Sequence, residues 1–169
     1  MPAWLTWMLG IGCVTGESAL LGALGMGVWS LQAGLVWCVV LGLRRDFIPG
    51  ALTLAFLIPV VEWYAGGPKG VYGLGLALIF LLMQLIRPQL HREWGLMHLG
   101  AAVLAFVLQQ LIVAAGMMFG PHAGPIGAAI LWSLPVSIIG GLLALWPIAW
   151  MVDRGDAMFE GTMRRAMFD

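Results

Sequence analysis

Two acidic residues stand inside apolar sequence: Glu17 in LGIGCVTGESALLGAL, and Glu62, which closes the run GALTLAFLIPVVE and opens EWYAGGPKG. A carboxylate in such surroundings can serve a proton, an ion or a ligand, and a pair at similar depth would suit that task. The alternative is structural: each acid is protonated, or bonded to a neighbouring backbone or hydroxyl group, and fixes helix packing. The structural reading is preferred because no Lys or Arg accompanies either acid within an apolar run, and a lone acid makes a poor transport pathway. Pro59, three residues before Glu62, removes a backbone donor and should kink its helix, leaving a carbonyl for a neighbour to satisfy. A kink beside an acid suits the irregular wall of a cavity, and equally a helix bent around its partners.

Other chemistry has fewer candidates. His91, His98 and His122 lack metal-ligand spacing. The sequence has no GxSxG, HExxH or P-loop, and no Ser or Cys stands with a plausible base beside it. Cys13 and Cys38 both fall in apolar runs without a CxxC or Cys/His neighbourhood, so they read as small buried residues. Catalysis, a metal and a cofactor are therefore not expected.

The elements that must position the two acids follow from composition. Of 169 residues, 62% are hydrophobic and 9% charged, against about 25% charged in an ordinary soluble domain. Mean hydropathy is +0.97, and the reading is an integral membrane protein. Net charge is zero and the basic residues are scattered, so no basic face exists for nucleic acid. The first apolar stretch has no Lys or Arg before it and is long enough to span, so it resembles a retained helix more than a cleaved signal peptide.

A span needs about 20 mainly apolar residues, and Gly, Pro and charge divide the chain into six runs: 4–24, 28–43, 47–65, 70–86, 95–118 and 126–152. This predicts an all-α, polytopic six-helix transmembrane bundle, one domain over 1–152, followed by a short cytoplasmic tail, 153–169. The tail mixes Met158, Phe159, Met163, Met167 and Phe168 with charges, and suits either a short amphipathic helix or an unstructured end. Six spans put Arg44, Arg45, Arg87, Arg92, Arg154, Arg164 and Arg165 on one side and only Lys69 on the other. By the positive-inside rule both termini are cytoplasmic, and EWYAGGPKG lies at the outer end of the third span.

Gly12, Gly16, Ala19 and Ala23 recur at i, i+4, i+7 and i+11, a stripe of small residues along which another backbone can approach closely. Its partner is expected to lie within the chain, with another protein or a second copy as the alternative. Gln84, Gln109 and Gln110 supply polar contacts between helices.

One stretch carries a family resemblance. LGLRR ends the second run in a basic pair, Arg44 and Arg45; GALTLAFLIPVVE follows from Gly50 to Glu62; then Gly66, Gly67, Pro68, Lys69 and Gly70 form a glycine-rich turn before VYGLGLALIFLL. From Leu31 to Leu90 this resembles the rod shape-determining MreD family of the bacterial elongation machinery. That family's pattern is a basic pair, then G-A-L-x-G-F-x-x-G-L-x-x-D, then G-G-P-x-G. Glu62 stands here for the usual aspartate, Pro59 for a usual glycine, and Gln32 and Ala33 where a Pro-Asp pair commonly begins the second helix. The resemblance implies a bundle similar to the S-components of energy-coupling factor vitamin transporters. It also implies location in the bacterial inner membrane and partnership with MreC and the cell-wall synthases, a SEDS glycosyltransferase and a class B penicillin-binding protein.

The expectation is a non-enzymatic scaffold of cell shape and peptidoglycan synthesis, contacting lipid and protein partners. The alternative is a vitamin-type carrier, which would need aromatic and polar groups converging on a ligand at the outer face. Apart from EWYAGGPKG and GPHAGP, the sequence offers little there.

Overall fold

A computed structural model describes residues 3–23, 32–65, 69–89, 96–119 and 126–168. These form six helices and, among the described residues, no strand: α1 (Ala3–Ala23), α2 (Ala33–Arg44), α3 (Phe47–Ala65), α4 (Val71–Ile86), α5 (Leu96–Phe119) and α6 (Ile126–Phe168). Among the described residues, three stretches are long and apolar enough to cross a membrane: Phe47–Tyr64 in α3, Leu99–Met118 in α5 and Ser137–Ala157 in α6. The apolar helices fit a membrane protein. Six helices match the number of runs read from the sequence, but six spans are not confirmed.

The largest difference is α2. It holds 12 residues, about 18 Å at a rise of 1.5 Å per residue, against a hydrocarbon core of about 30 Å. The predicted run began at residue 28, but the helix begins at Ala33. Its sequence, AGLVWCVVLGLR, is apolar all round, and such a helix is stable only where every face is covered. Ala33 through Gly42 are all buried, and Trp37 and Cys38 are fully enclosed. Every other helix touches α2, so it is the centre of the bundle.

Two glycines allow this central packing. A β-carbon on Gly34 would stand 2.7 Å from Val61 Cγ2, and one on Gly42 would stand 2.6 Å from Met83 Cβ. Both distances lie far inside van der Waals contact, so α3 and α4 close on the ends of α2 only because these positions lack side chains. The core then fills with Val36, Leu41, Leu57, Leu76, Ile79, Met83 and Phe106.

The other difference is α6. It runs 43 residues without interruption, through Pro135 and Pro147 and across the boundary expected at 152. Residues 153–168 continue the last helix.

Candidate functional site

The two acids do the same job on neighbouring hairpins. Glu17, on α1, accepts a hydrogen bond through Oε2 from the Ala33 amide at 2.6 Å. Glu62, on α3, accepts through Oε1 from the Gly73 amide at 3.0 Å. Ala33 is the first residue of α2 and Gly73 lies in the first turn of α4. These amides belong to the set that an α-helix leaves without an internal acceptor, and the positive end of the helix dipole favours a carboxylate there.

The reason lies in the residue that precedes each of these helices. The residues preceding α2 and α4 are Gln32, at φ 53° and ψ 47°, and Gly70, at φ 91° and ψ −21°; neither supplies a side-chain cap. Ordinary caps are Ser, Thr, Asp or Asn in extended backbone. Here the acid of the preceding helix fills that role, and the left-handed residue turns the chain into the next helix. Gln32 is the single described non-glycine residue with positive φ, and its carbonyl starts α2 by accepting from the amides of Leu35 and Val36.

Gly73 is part of this device and sequence reading missed it. A β-carbon there would lie 2.8 Å from Glu62 Oε1 and 2.6 Å from Ile58 Cγ2, so only glycine leaves the carboxylate room to reach the backbone. The signal was present in VYGLG, immediately after the turn, but glycine in an apolar helix reads first as packing. Gly70 occupies its expected place before α4, with Lys69 beside it. Gly66, Gly67 and Pro68 lie outside the described residues, as do His91 and His122. Pro59 sits within α3 with its ring exposed, so it is not gathered with Glu62 into a cavity wall.

The opposite end of the bundle holds a charged cluster. Arg44 pairs with Asp153, and Arg45 with Asp156 at 2.6 Å, joining α2 to α6. Arg44 also donates to the Ala149 carbonyl at 3.3 Å. The Arg45 carbonyl receives Gln84 Nε2 at 2.8 Å and Arg87 Nη1 at 2.6 Å, which brings α4 into the same knot. Burial pushes the Arg44 guanidinium below its usual range, and the charge of Asp156 acts the other way. Arg44, Arg45 and Arg87, and Arg154 next to Asp153 on α6, thus share one end, and Lys69 stands before α4 at the other.

Between these ends the interior is tied by few polar groups. Gln110 Nε2 donates to Ser137 Oγ at 3.2 Å, linking α5 to α6, and the Cys38 thiol donates to the Leu76 carbonyl at 3.1 Å. The Gln109 amide is buried against Gly75, whose missing side chain makes its place. Cys13 and Cys38 are free thiols. Among the described residues, no group of three His, Cys, Asp or Glu side chains could hold a metal ion.

The small-residue stripe differs from expectation. Gly12, Ala19 and Ala23 are exposed and Gly16 half-exposed; a β-carbon on Gly12 or Gly16 would meet nothing within 4 Å. The stripe looks outward, and α1 packs on the bundle through its other face, with Gly10 against the Trp37 indole. No family model, curated protein or solved structure matches the chain.

Proposed function

We propose that this protein is a non-enzymatic scaffold of the bacterial cell-elongation machinery, a six-span bundle of the inner membrane with both termini in the cytoplasm. Its partners are an MreC-like protein and the cell-wall synthases. The observation that supports a scaffold over a carrier is the use of the two acids. Glu17 and Glu62 each accept from the first turn of the next helix, so the groups best suited to bind an ion or ligand are engaged in holding hairpins together. The centre of the bundle supports the same reading, because it is occupied by α2 and its apolar side chains. A carrier needs a pocket of about 300 Å³ or more with converging polar groups.

The family assignment rests on the resemblance from Leu31 to Leu90, LGLRR through EWYAGGPKG. One departure from that family's pattern has a physical account. Gln32 and Ala33 stand where a Pro-Asp pair commonly begins the second helix, and here Glu17 supplies from α1 a carboxylate that accepts from the Ala33 amide. The gathering of Arg44, Arg45, Arg87 and Arg154 at one end supports a cytoplasmic assignment for that end.

Depletion of the gene in its rod-shaped host tests the proposal. Cells should round up as the protein is lost and recover their shape when it is restored. Cells that stay rod-shaped but require an added vitamin would instead identify a carrier.

A further inference from the structure

The outward face of α6 grades from apolar to aromatic to cationic over the depth of one bilayer leaflet. Ile139, Leu143, Trp146, Trp150 and Arg154 recur at helical spacing, and all are exposed. The Arg154 guanidinium lies over the Trp150 ring at 5.3 Å from its centroid. From Ile139 to Trp150 is eleven residues, or about 16 Å along a helix, against about 15 Å for half of a hydrocarbon core. With Ile139 near the midplane, Trp150 falls at the interface that tryptophan favours, and Arg154 falls about 6 Å beyond it, at the level of the phosphates.

The charges nearby distinguish Arg154 from the other arginines. Arg44, Arg45 and Arg87 each pair with a carboxylate, of Asp153, Asp156 and Asp46 respectively. Arg154 forms no ion pair with a described carboxylate. Asp153 and Asp156, its neighbours on α6, are engaged with Arg44 and Arg45 on α2. A planar guanidinium stacked on an indole keeps its edge donors available, and that edge matches phosphate geometry.

We propose that the Trp146–Trp150–Arg154 stripe of α6 is a binding site for an anionic phospholipid: acyl chain along Leu143 and Trp146, glycerol region beside Trp150, phosphate on Arg154. The site rests on the membrane reading of the apolar helices and not on the rod-system assignment. The anionic class is favoured because the guanidinium's charge is not neutralised by a described acid, so a net negative lipid gains more than a zwitterionic one.

The test is native mass spectrometry of the full chain in detergent, titrated with phosphatidylglycerol and with phosphatidylcholine of identical acyl chains. The wild type should bind phosphatidylglycerol about five-fold more tightly, the effect of one basic group at an anionic surface. Arg154→Gln should bring the two lipids level, Trp150→Leu should reduce the preference, and Lys69→Gln, at the other end, should leave it intact. Thermal melting identifies a misfolded variant; Arg154→Gln should melt as wild type, since Arg154 is exposed. An unchanged preference in folded Arg154→Gln overturns the site. Displacement of phosphatidylglycerol by millimolar inorganic phosphate would assign it to a free anion instead and overturn the lipid. A protein that stays soluble without detergent and binds neither lipid would overturn the membrane reading itself, a result distinct from equal binding of both lipids by a detergent-dependent protein.

Discussion

Glu62→Leu should destabilise the protein, and Glu62→Gln should largely spare it. The carboxylate receives the Gly73 amide at 3.0 Å. Leucine removes the acceptor and leaves a helix-terminal N–H without a partner in apolar surroundings, at about 1–3 kcal/mol. The lost interaction with the helix dipole adds about 0.3–1 kcal/mol. For a chain of this size each kcal/mol moves the midpoint by about 2–4 °C, so Glu62→Leu should lower the melting temperature in mild detergent by about 3–15 °C. Glutamine keeps an oxygen of the same reach and forfeits only the charge, so its shift should stay within about 4 °C. Gly73→Ala tests the same contact from the other side, since its methyl would fall 2.8 Å from Glu62 Oε1, and it should melt low as well. A Glu62→Leu protein as stable as wild type would refute the cap. A Glu62→Gln protein that accumulates normally yet fails in the cell would show that the carboxylate does chemistry, and the structural role would be wrong.

Further outcomes follow from the charged end and the interior. Arg45→Glu should destabilise the α2–α6 junction, and the exchange with Asp156→Arg should recover about 1 kcal/mol of coupling in a double-mutant cycle of melting temperatures; full additivity would show that the pair contributes nothing. Gly75→Ala forces a methyl onto the Gln109 amide and should cost about 1–3 kcal/mol, part of which Gln109→Ala on the same background should restore in unfolding measurements. Reporter fusions at either terminus and after Arg45 should report cytoplasm, and one at Lys69 should report the outside; a cytoplasmic Lys69 would break the six-span proposal.

The existence of six helices was legible because apolar runs broken by Gly, Pro and charge leave little freedom in where helices stop. The centre of the bundle was not legible. A run such as AGLVWCVVLGLR has the same apolar character whether lipid or other helices cover it, so its sequence does not show that its 12 residues are buried among the other helices. The structural reading of Glu17 and Glu62 could be reached from the lack of a nearby Lys or Arg. Their acceptance of amides from the next helix could not, because that depends on Gln32 and Gly70 turning left-handed before α2 and α4. The stripe from Gly12 to Ala23 was expected to pack within the chain, whereas Gly12, Ala19 and Ala23 are exposed. Periodicity defines a face, and only the neighbours decide whether that face is covered. The link from Arg44 and Arg45 to Asp153 and Asp156 spans more than 100 positions. Sequence spacing carries no information across such a distance.

The central claim, a protein scaffold without a bound ligand, is tested most directly by purifying the intact protein from native membranes in mild detergent and identifying everything recovered with it by mass spectrometry. The account predicts an MreC-like protein and a cell-wall synthase in the preparation and no vitamin, metal or other small molecule at stoichiometric amount. A stoichiometric vitamin or metal, recovered with no elongation-machinery protein, would contradict it and identify a carrier.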